Sequence, residues 1–465
     1  MSCQANRRQF LQTTAATGIG FWIAGGAEAQ PSKSPNERIA LASIGVGGKG
    51  TSDSKDAGSS GDMVAICDVD EKRLNDAGEK RFPKAKKYTD FRKMLDEMGK
   101  SIDAVTVSTP DHVHAPASLM AMRMGKHCFC QKPLTRTIYE ARLMGKVAAE
   151  KKVATQMGNQ GTADSRLRKA AALLRAGALG TVKEVHVWTN RPIWGQGQDR
   201  PPGEDPVPDW LKWDLWIGSA PLRPFKDKYT VPPLGAGKRL DVYHPFVWRG
   251  WWDFGSGALG DMACHIMNMP FMGLDLRDPI SVQAETSGHN KDSFPSWSII
   301  TYQFAANSRR PGLKMVWYDG NKLPPAELFD GEKPRGSSLI IGEKGKMNGE
   351  RLLGNLSEPE VTFPESPGHF EEWVRAIRGG EPAMSNFPNY AGPLAETVLL
   401  GNLAVWVAAN GKGEKVEWDA KNMRCTNIAG LESLIKPTYR AGYTLDTQEV
   451  SSGKRGKRRG KRGRG

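Results

Sequence analysis

The run Gly45-Val46-Gly47-Gly48-Lys49-Gly50 constrains the fold of this chain more than any other stretch. It fits G-x-G-x-x-G and follows an apolar segment, Arg38 to Gly45, that reads as a short buried strand. In a strand–turn–helix unit the first glycine permits the tight turn. The second lets the backbone approach a pyrophosphate, and the third lets the helix pack closely on the strand. Main-chain N–H groups at such a helix start hold phosphate oxygens. A second strand, Met63 to Asp68, ends in an acid where a carboxylate accepts hydrogen bonds from ribose hydroxyls. Its charge would repel a 2′-phosphate, which favours NAD over NADP.

Three further strands are expected at Ile102 to Val107, His127 to Cys130 and Val153 to Gln156. Helix-like segments separate strands, among them Asp70 to Arg81 and Ala115 to Met124. This alternation predicts a parallel sheet covered on both faces. After Met157 the character changes: residues 190 to 255 are dense in Trp, Pro and Gly. Ser298 to Phe304 and Leu313 to Tyr318 read as antiparallel strands with one polar face. Phe370 to Arg378 and Leu394 to Ala409 read as helices. The expected fold is α/β: a Rossmann-type doubly wound parallel sheet over residues 38–155, then an α+β domain with a largely antiparallel open sheet over 156–446.

The ends of the chain differ from its body. Arg7-Arg8-Gln9-Phe10-Leu11, a weakly apolar stretch to Gly26 and Ala27-Glu28-Ala29 have the order of a charged region, a hydrophobic region and a cleavage site. The arginine pair makes residues 1–29 resemble a twin-arginine (Tat) export signal, and residues 30–37 read as a polar linker. The Tat machinery would then be a partner, and the location periplasmic or otherwise exported. Of the formal charge of +14, eight positive charges lie between Lys454 and Gly465, leaving +6 for the rest. Residues 447–465 therefore read as a basic disordered tail able to attract polyanions, with no specific nucleic acid implied. No apolar run reaches the roughly 18 residues of a membrane span. Six scattered cysteines lack metal-site spacing, and Cys128 and Cys130 read as small buried residues of one strand.

The carboxyl ends of strands in a doubly wound sheet face the ligand crevice. That brings together Ser108-Thr109-Pro110-Asp111-His112-Val113-His114, Gln131-Lys132-Pro133 and Gly158-Asn159-Gln160. A fourth segment, Gly255 to His265, carries Asp261 and His265 one helical turn apart on one face. Removing hydride from an alcohol carbon also requires loss of the hydroxyl proton. An imidazole such as His265 accepts it near neutral pH, and an ammonium such as Lys132 stabilises the developing charge on oxygen. The residues leave open which of the two is the base. No third ligand of clear spacing turns the Asp–His pair into a metal site.

Over Arg38 to Ala409 these motifs resemble the glucose–fructose oxidoreductase / inositol dehydrogenase (Gfo/Idh/MocA) family. Lys132-Pro133 matches its Lys-Pro motif, and Asp261 with His265 matches its D-x-x-x-H motif. The resemblance implies an NAD(P)-dependent enzyme that oxidises CH–OH groups of a sugar or cyclitol, with Lys132, Asp261 and His265 around the reacting carbon. The cofactor would be NAD, or NADP if the charge at Asp68 is tolerated, and it would be held tightly. Gly45, Gly47, Gly48, Gly50, Asp68, Thr109, Pro110, His114, Gln131 and Lys132 are the expected cofactor contacts, and Gln160 and Asn190 the expected substrate contacts. A homo-oligomer paired through the open sheet face is also implied. Gln131 stands where many relatives carry Glu, and Asn268 where many carry a second Asp, which points to altered substrate contacts. Eight tryptophans between Trp188 and Trp252 read mainly as packing, with one or two facing substrate. Alternatives on the same scaffold are an NAD-dependent glycoside hydrolase acting by transient oxidation and a non-catalytic ligand-binding protein.

Overall fold

In the computed structural model the described residues are 38–230 and 239–445. The stretches expected to be an export signal, a linker and a basic tail lie outside them. Six strands form a wholly parallel sheet: β1 (Ile39–Ile44), β2 (Gly61–Cys67), β3 (Lys86–Tyr88), β4 (Ala104–Val107), β5 (His127–Cys130) and β6 (Thr155–Met157). Their order is β3-β2-β1-β4-β5-β6, which reverses direction between β1 and β4 and opens a crevice there. Strand β3 is absent from the sequence expectation. Lys86 and Lys87 are exposed at the sheet edge, and Lys86-Lys87-Tyr88 carries no apolar alternation.

Helices α1 (Lys49–Ser60), α2 (Glu71–Lys80), α3 (Phe91–Met98), α4 (Asp111–Arg123) and α5 (Ile138–Lys151) connect these strands. Asp70 and Asp90 cap α2 and α3 by accepting main-chain N–H bonds, and Thr137 with Glu140 forms a capping box on α5. Helix α1 is different: Gly48 precedes it at φ +55° and no side chain caps it. The Gly50 and Thr51 amides bond back to the Gly47 and Gly48 carbonyls at 2.9 and 3.1 Å, so the turn is held by backbone alone and no side chain blocks the approach of a ligand.

The second sheet has nine strands: β7 (Val182–Trp188), β10 (Ser281–Thr286), β11 (Ser298–Phe304), β12 (Leu313–Tyr318), β13 (Ser338–Gly342), β14 (Lys346–Asn348), β15 (Arg351–Leu352), β16 (Val416–Asp419) and β17 (Arg424–Cys425). The hairpin β8 (Lys228–Thr230) and β9 (Arg239–Asp241) stands apart. The order β15-β14-β13-β7-β12-β11-β10-β16-β17 is mostly antiparallel, with β7 and β12 running parallel. The expected strands Ser298 to Phe304 and Leu313 to Tyr318 are found with those bounds.

Further helices are α6 (Ser165–Arg175), α7 (Trp213–Ile217), α8 (Gly257–Ile266), α9 (Asn268–Leu274), α10 (His369–Ile377) and α11 (Gly392–Val407). Helix α11 buries residues around its whole circumference, from Leu394 to Val405. It touches α5 of the first layer, α8 and β10, and so sits between the two sheets. Helix α10 returns to the first sheet, where Phe370, Trp373 and Val374 pack on Ile39, Leu41 and Phe129. Residues far along the chain thus complete the cover of the parallel sheet. Among the described residues no helix is long and apolar enough to cross a membrane.

Candidate active site

A cavity of about 670 Å³ opens at the carboxyl ends of β1, β4 and β5. One end is walled by the glycine loop. Gly45 has φ +82°, and a Cβ there would lie 2.5 Å from the Ser108 carbonyl oxygen. A Cβ on Gly50 would lie 2.1 Å from the Gly45 carbonyl oxygen, so only glycine lets α1 approach β1 this closely. Gly45, Gly47 and Gly48 line the cavity, whereas Gly50 serves the packing behind it. The bare backbone and the uncapped helix start fit a dinucleotide pyrophosphate.

Asp68 follows β2 and borders the same end. Its carboxylate accepts the amides of Val46 and Asp70, each at 3.0 Å, and burial pushes its pKa upward against those bonds. Each carboxylate oxygen has a second lone pair for a ribose hydroxyl. Thr109, Pro110 and Gln131 line the cavity further in. Arg73, which sequence reasoning passed over, also borders the glycine loop and pairs with Asp70 at 3.1 Å.

At the other end Lys132 and Asp261, 129 positions apart in sequence, meet. Lys132 Nζ donates to the Asp261 main-chain oxygen at 2.6 Å and to its carboxylate at 2.9 Å. An ammonium has three donors, and these bonds use two. Burial works against ionisation of Asp261, but the Lys132 and Arg249 cations overcome it and hold the carboxyl below its ordinary range. His265, one turn along α8, lines the same cavity. Burial and then the Lys132 charge push its imidazole down to about 4, against the opposing pull of Asp261. The ring is therefore neutral near pH 7 and able to accept a proton.

Arg249 is the main residue that sequence reasoning missed. Its Nε donates to Asp261 at 3.1 Å, while Trp248 and Phe246 flank its guanidinium at 4.2 and 4.4 Å. Its place within the tryptophan-rich stretch was the available signal. Trp194, Trp216 and Trp248 reach the cavity wall, and Trp251 is buried among Tyr243 and other rings.

Besides Gly50, which packs behind the cavity and does not line it, three expectations are corrected. His114 is buried, its ring nitrogens 2.8 Å from the carbonyl oxygens of Pro133 and Thr109, so it braces two loops behind the cavity. Asn190 is exposed and outside the lining, where its side-chain oxygen accepts from Arg191, and Arg191 borders the cavity instead. Asn268 is buried against Thr162 and Tyr390, away from the cavity wall. Gln160 does border the cavity.

Residues 39–159 match the oxidoreductase family model with an NAD-binding Rossmann fold, and residues 172–445 match that family's C-terminal alpha/beta domain. A levoglucosan dehydrogenase from Pseudarthrobacter phenanthrenivorans is 28% identical over 190 residues, 41% of this chain and 37% of that protein. An inositol 2-dehydrogenase from Salmonella typhimurium is 26% identical over 128 residues, 27% of this chain and 37% of that protein. The matches thus span little more than a third of those relatives' lengths. The crystal structure of the WlbA dehydrogenase from Bordetella pertussis, in complex with NADH and UDP-GlcNAcA, shares the fold. Its TM-score is 0.54 at 16% identity, covering 82% of this chain and 99% of that one. With both domain models matched in order along most of its length, the chain belongs to the Gfo/Idh/MocA family of NAD-binding oxidoreductases.

Proposed function

We propose that this protein interconverts a secondary hydroxyl and a ketone on a sugar or cyclitol ring, using the cavity that Lys132, Asp261 and His265 share with the glycine loop. That convergence carries the reading. Gly45, Gly47, Gly48 and Asp68 would hold NAD, which when bound supplies the two-electron acceptor. The neutral His265 imidazole takes the hydroxyl proton. The remaining Lys132 donor hydrogen-bonds the same oxygen and favours its charged form. Asp261 and Arg249 fix the direction of that ammonium, and neither moves a proton. The aromatic faces of Trp194 and Trp248 suit the C–H faces of a pyranose or cyclitol ring, and the dehydrogenase relatives act on compounds of that kind by name.

We further propose that the twin-arginine leader exports the protein already folded around its nucleotide, since a compartment without free NAD cannot replace a lost cofactor. The test is mass spectrometry of nucleotide released from the native protein, then a sugar and cyclitol screen read at the nicotinamide absorbance. NADH formation with a ring alcohol is expected. Release of aglycone from aryl glycosides without net NADH would transfer the assignment to glycoside hydrolysis. Ligand affinity with no turnover across the panel would make the protein a binding module.

A further inference from the structure

Asp53 lies in the first turns of α1 and is completely buried, yet it is outside every motif discussed above. Its carboxylate joins the ends of β4 and β5 to the start of its own helix. One oxygen accepts from Ser108 Oγ and from Gln131 Nε2, each at 2.8 Å. The other accepts from Lys49 Nζ at 2.5 Å. Ser108, Gln131 and Lys49 all border the cavity, and Asp53 does not.

A carboxylate only accepts, so it dictates which way the Gln131 amide faces. The NH2 group points to Asp53 and the carbonyl oxygen accepts the Lys132 main-chain amide at 3.3 Å. Flipping the amide would set oxygen against oxygen. Gly158 closes the remaining side, since a Cβ there would lie 2.4 Å from Gln131 Nε2. The backbone from which Lys132 reaches toward Asp261 is thereby tied to the glycine-loop helix.

We infer that Asp53 is a positioning residue that sets the Gln131 amide, and through it the Lys132 segment, against the cofactor cradle. The pair carries its negative charge on 53 and a neutral amide on 131. A carboxylate at 131 is incompatible with one at 53, because two anions at hydrogen-bond distance cannot both stay ionised. Lys49 on the same helix start is the cation facing Asp53, and Ser108 faces it from just beyond β4. The consequence for Lys132 rests on the proposed reaction, whereas the consequence for nucleotide binding does not.

The test uses the full chain, with NAD as probe, at pH 6 and pH 8. Gln131→Glu should lose about tenfold or more in NAD affinity at pH 8 and less at pH 6, as one facing carboxyl must hold a proton. Such a raised carboxyl stabilises the fold below its ordinary pKa and loses that contribution as pH rises through its folded value. The unfolding temperature of the nucleotide-free variant should therefore fall from pH 6 to pH 8 more than that of the unaltered chain. The exchanged pair, Gln131→Glu with Asp53→Asn, restores one donor facing one acceptor, and should return within about threefold at both pH values. Wild-type affinity and stability in Gln131→Glu, or no recovery in the double variant, overturns the inference. If Gln131→Glu does not fold, a folded, NAD-binding double variant upholds the exchange and an unfolded or non-binding one refutes it. None of these readouts requires turnover, so a failed sugar screen leaves them unaffected.

Discussion

Replacing Lys132 with Met removes the ammonium while keeping a flexible chain of similar length. Asp261 loses the bonds at 2.6 and 2.9 Å but keeps Arg249 Nε at 3.1 Å, so its buried carboxylate is not left alone. The stability cost should therefore be about 1–3 kcal/mol, that of a lost charged hydrogen bond and below that of an orphaned buried charge. The effect on turnover should be larger. Losing one donor to a developing oxyanion costs about 10²–10³ in rate, or roughly 3–4 kcal/mol. A second consequence separates this account from simple disruption. The Lys132 charge helps hold His265 down to about 4, so its removal lets the imidazole rise toward its ordinary value, limited by burial. Activity that needs neutral His265 fails as pH drops through that pKa, so the acid limb of kcat/KM should move to higher pH. The measurements are NAD affinity by tryptophan quenching, denaturant unfolding, and kcat/KM from about pH 4 to 9. Expected are near-normal NAD binding, the large loss in kcat/KM and the shifted limb. A rate loss below about tenfold with the limb in place, or one explained wholly by weaker NAD binding, would refute the reasoning.

Two further substitutions test the fold around the site. Gly50→Ala drives a methyl group against the Gly45 carbonyl, which cannot yield, and should destabilise by about 3 kcal/mol or more and abolish NAD binding. Gly47→Ala meets the Arg73 side chain at 2.4 Å, which can swing aside, so stability should change by about 1 kcal/mol or less while NAD affinity still falls. Equal losses of thermal stability in the two variants would contradict this. Asp111 is buried, and that burial raises its carboxyl to about 7 although Ser256 donates to it at 2.6 Å. Its folded pKa exceeds its unfolded one, so its contribution to stability is complete below about 4 and is lost as pH rises to about 7. Asp111→Asn should remove that slope, making the variant gain about 3 kcal/mol relative to the parent between pH 5 and pH 8 in denaturant titrations. Parallel pH profiles for variant and parent would exclude a protonated Asp111.

What the sequence by itself determined is local. The glycine spacing, the acid ending β2 and the alternation of apolar strands with helices depend on residues within a few turns of one another, and each marks its element. The Asp261–His265 spacing likewise follows from one helical turn. Neighbouring residues could not show that Lys132 would lie against an acid from α8, or that Arg249 would share that acid between two aromatic rings. Nor could they show that α10 would close the face of the first sheet or that Asp53 would orient Gln131. His114 and Asn190 show the same limit from the other side. A place beside a strand end suggested the cavity for His114 and the family resemblance suggested it for Asn190, whereas His114 is held at the Pro133 carbonyl and Asn190 accepts from the Arg191 side chain. Secondary structure follows from short-range periodicity, whereas the partner of a buried charge is chosen when distant segments lose water together and each polar group must find a bond.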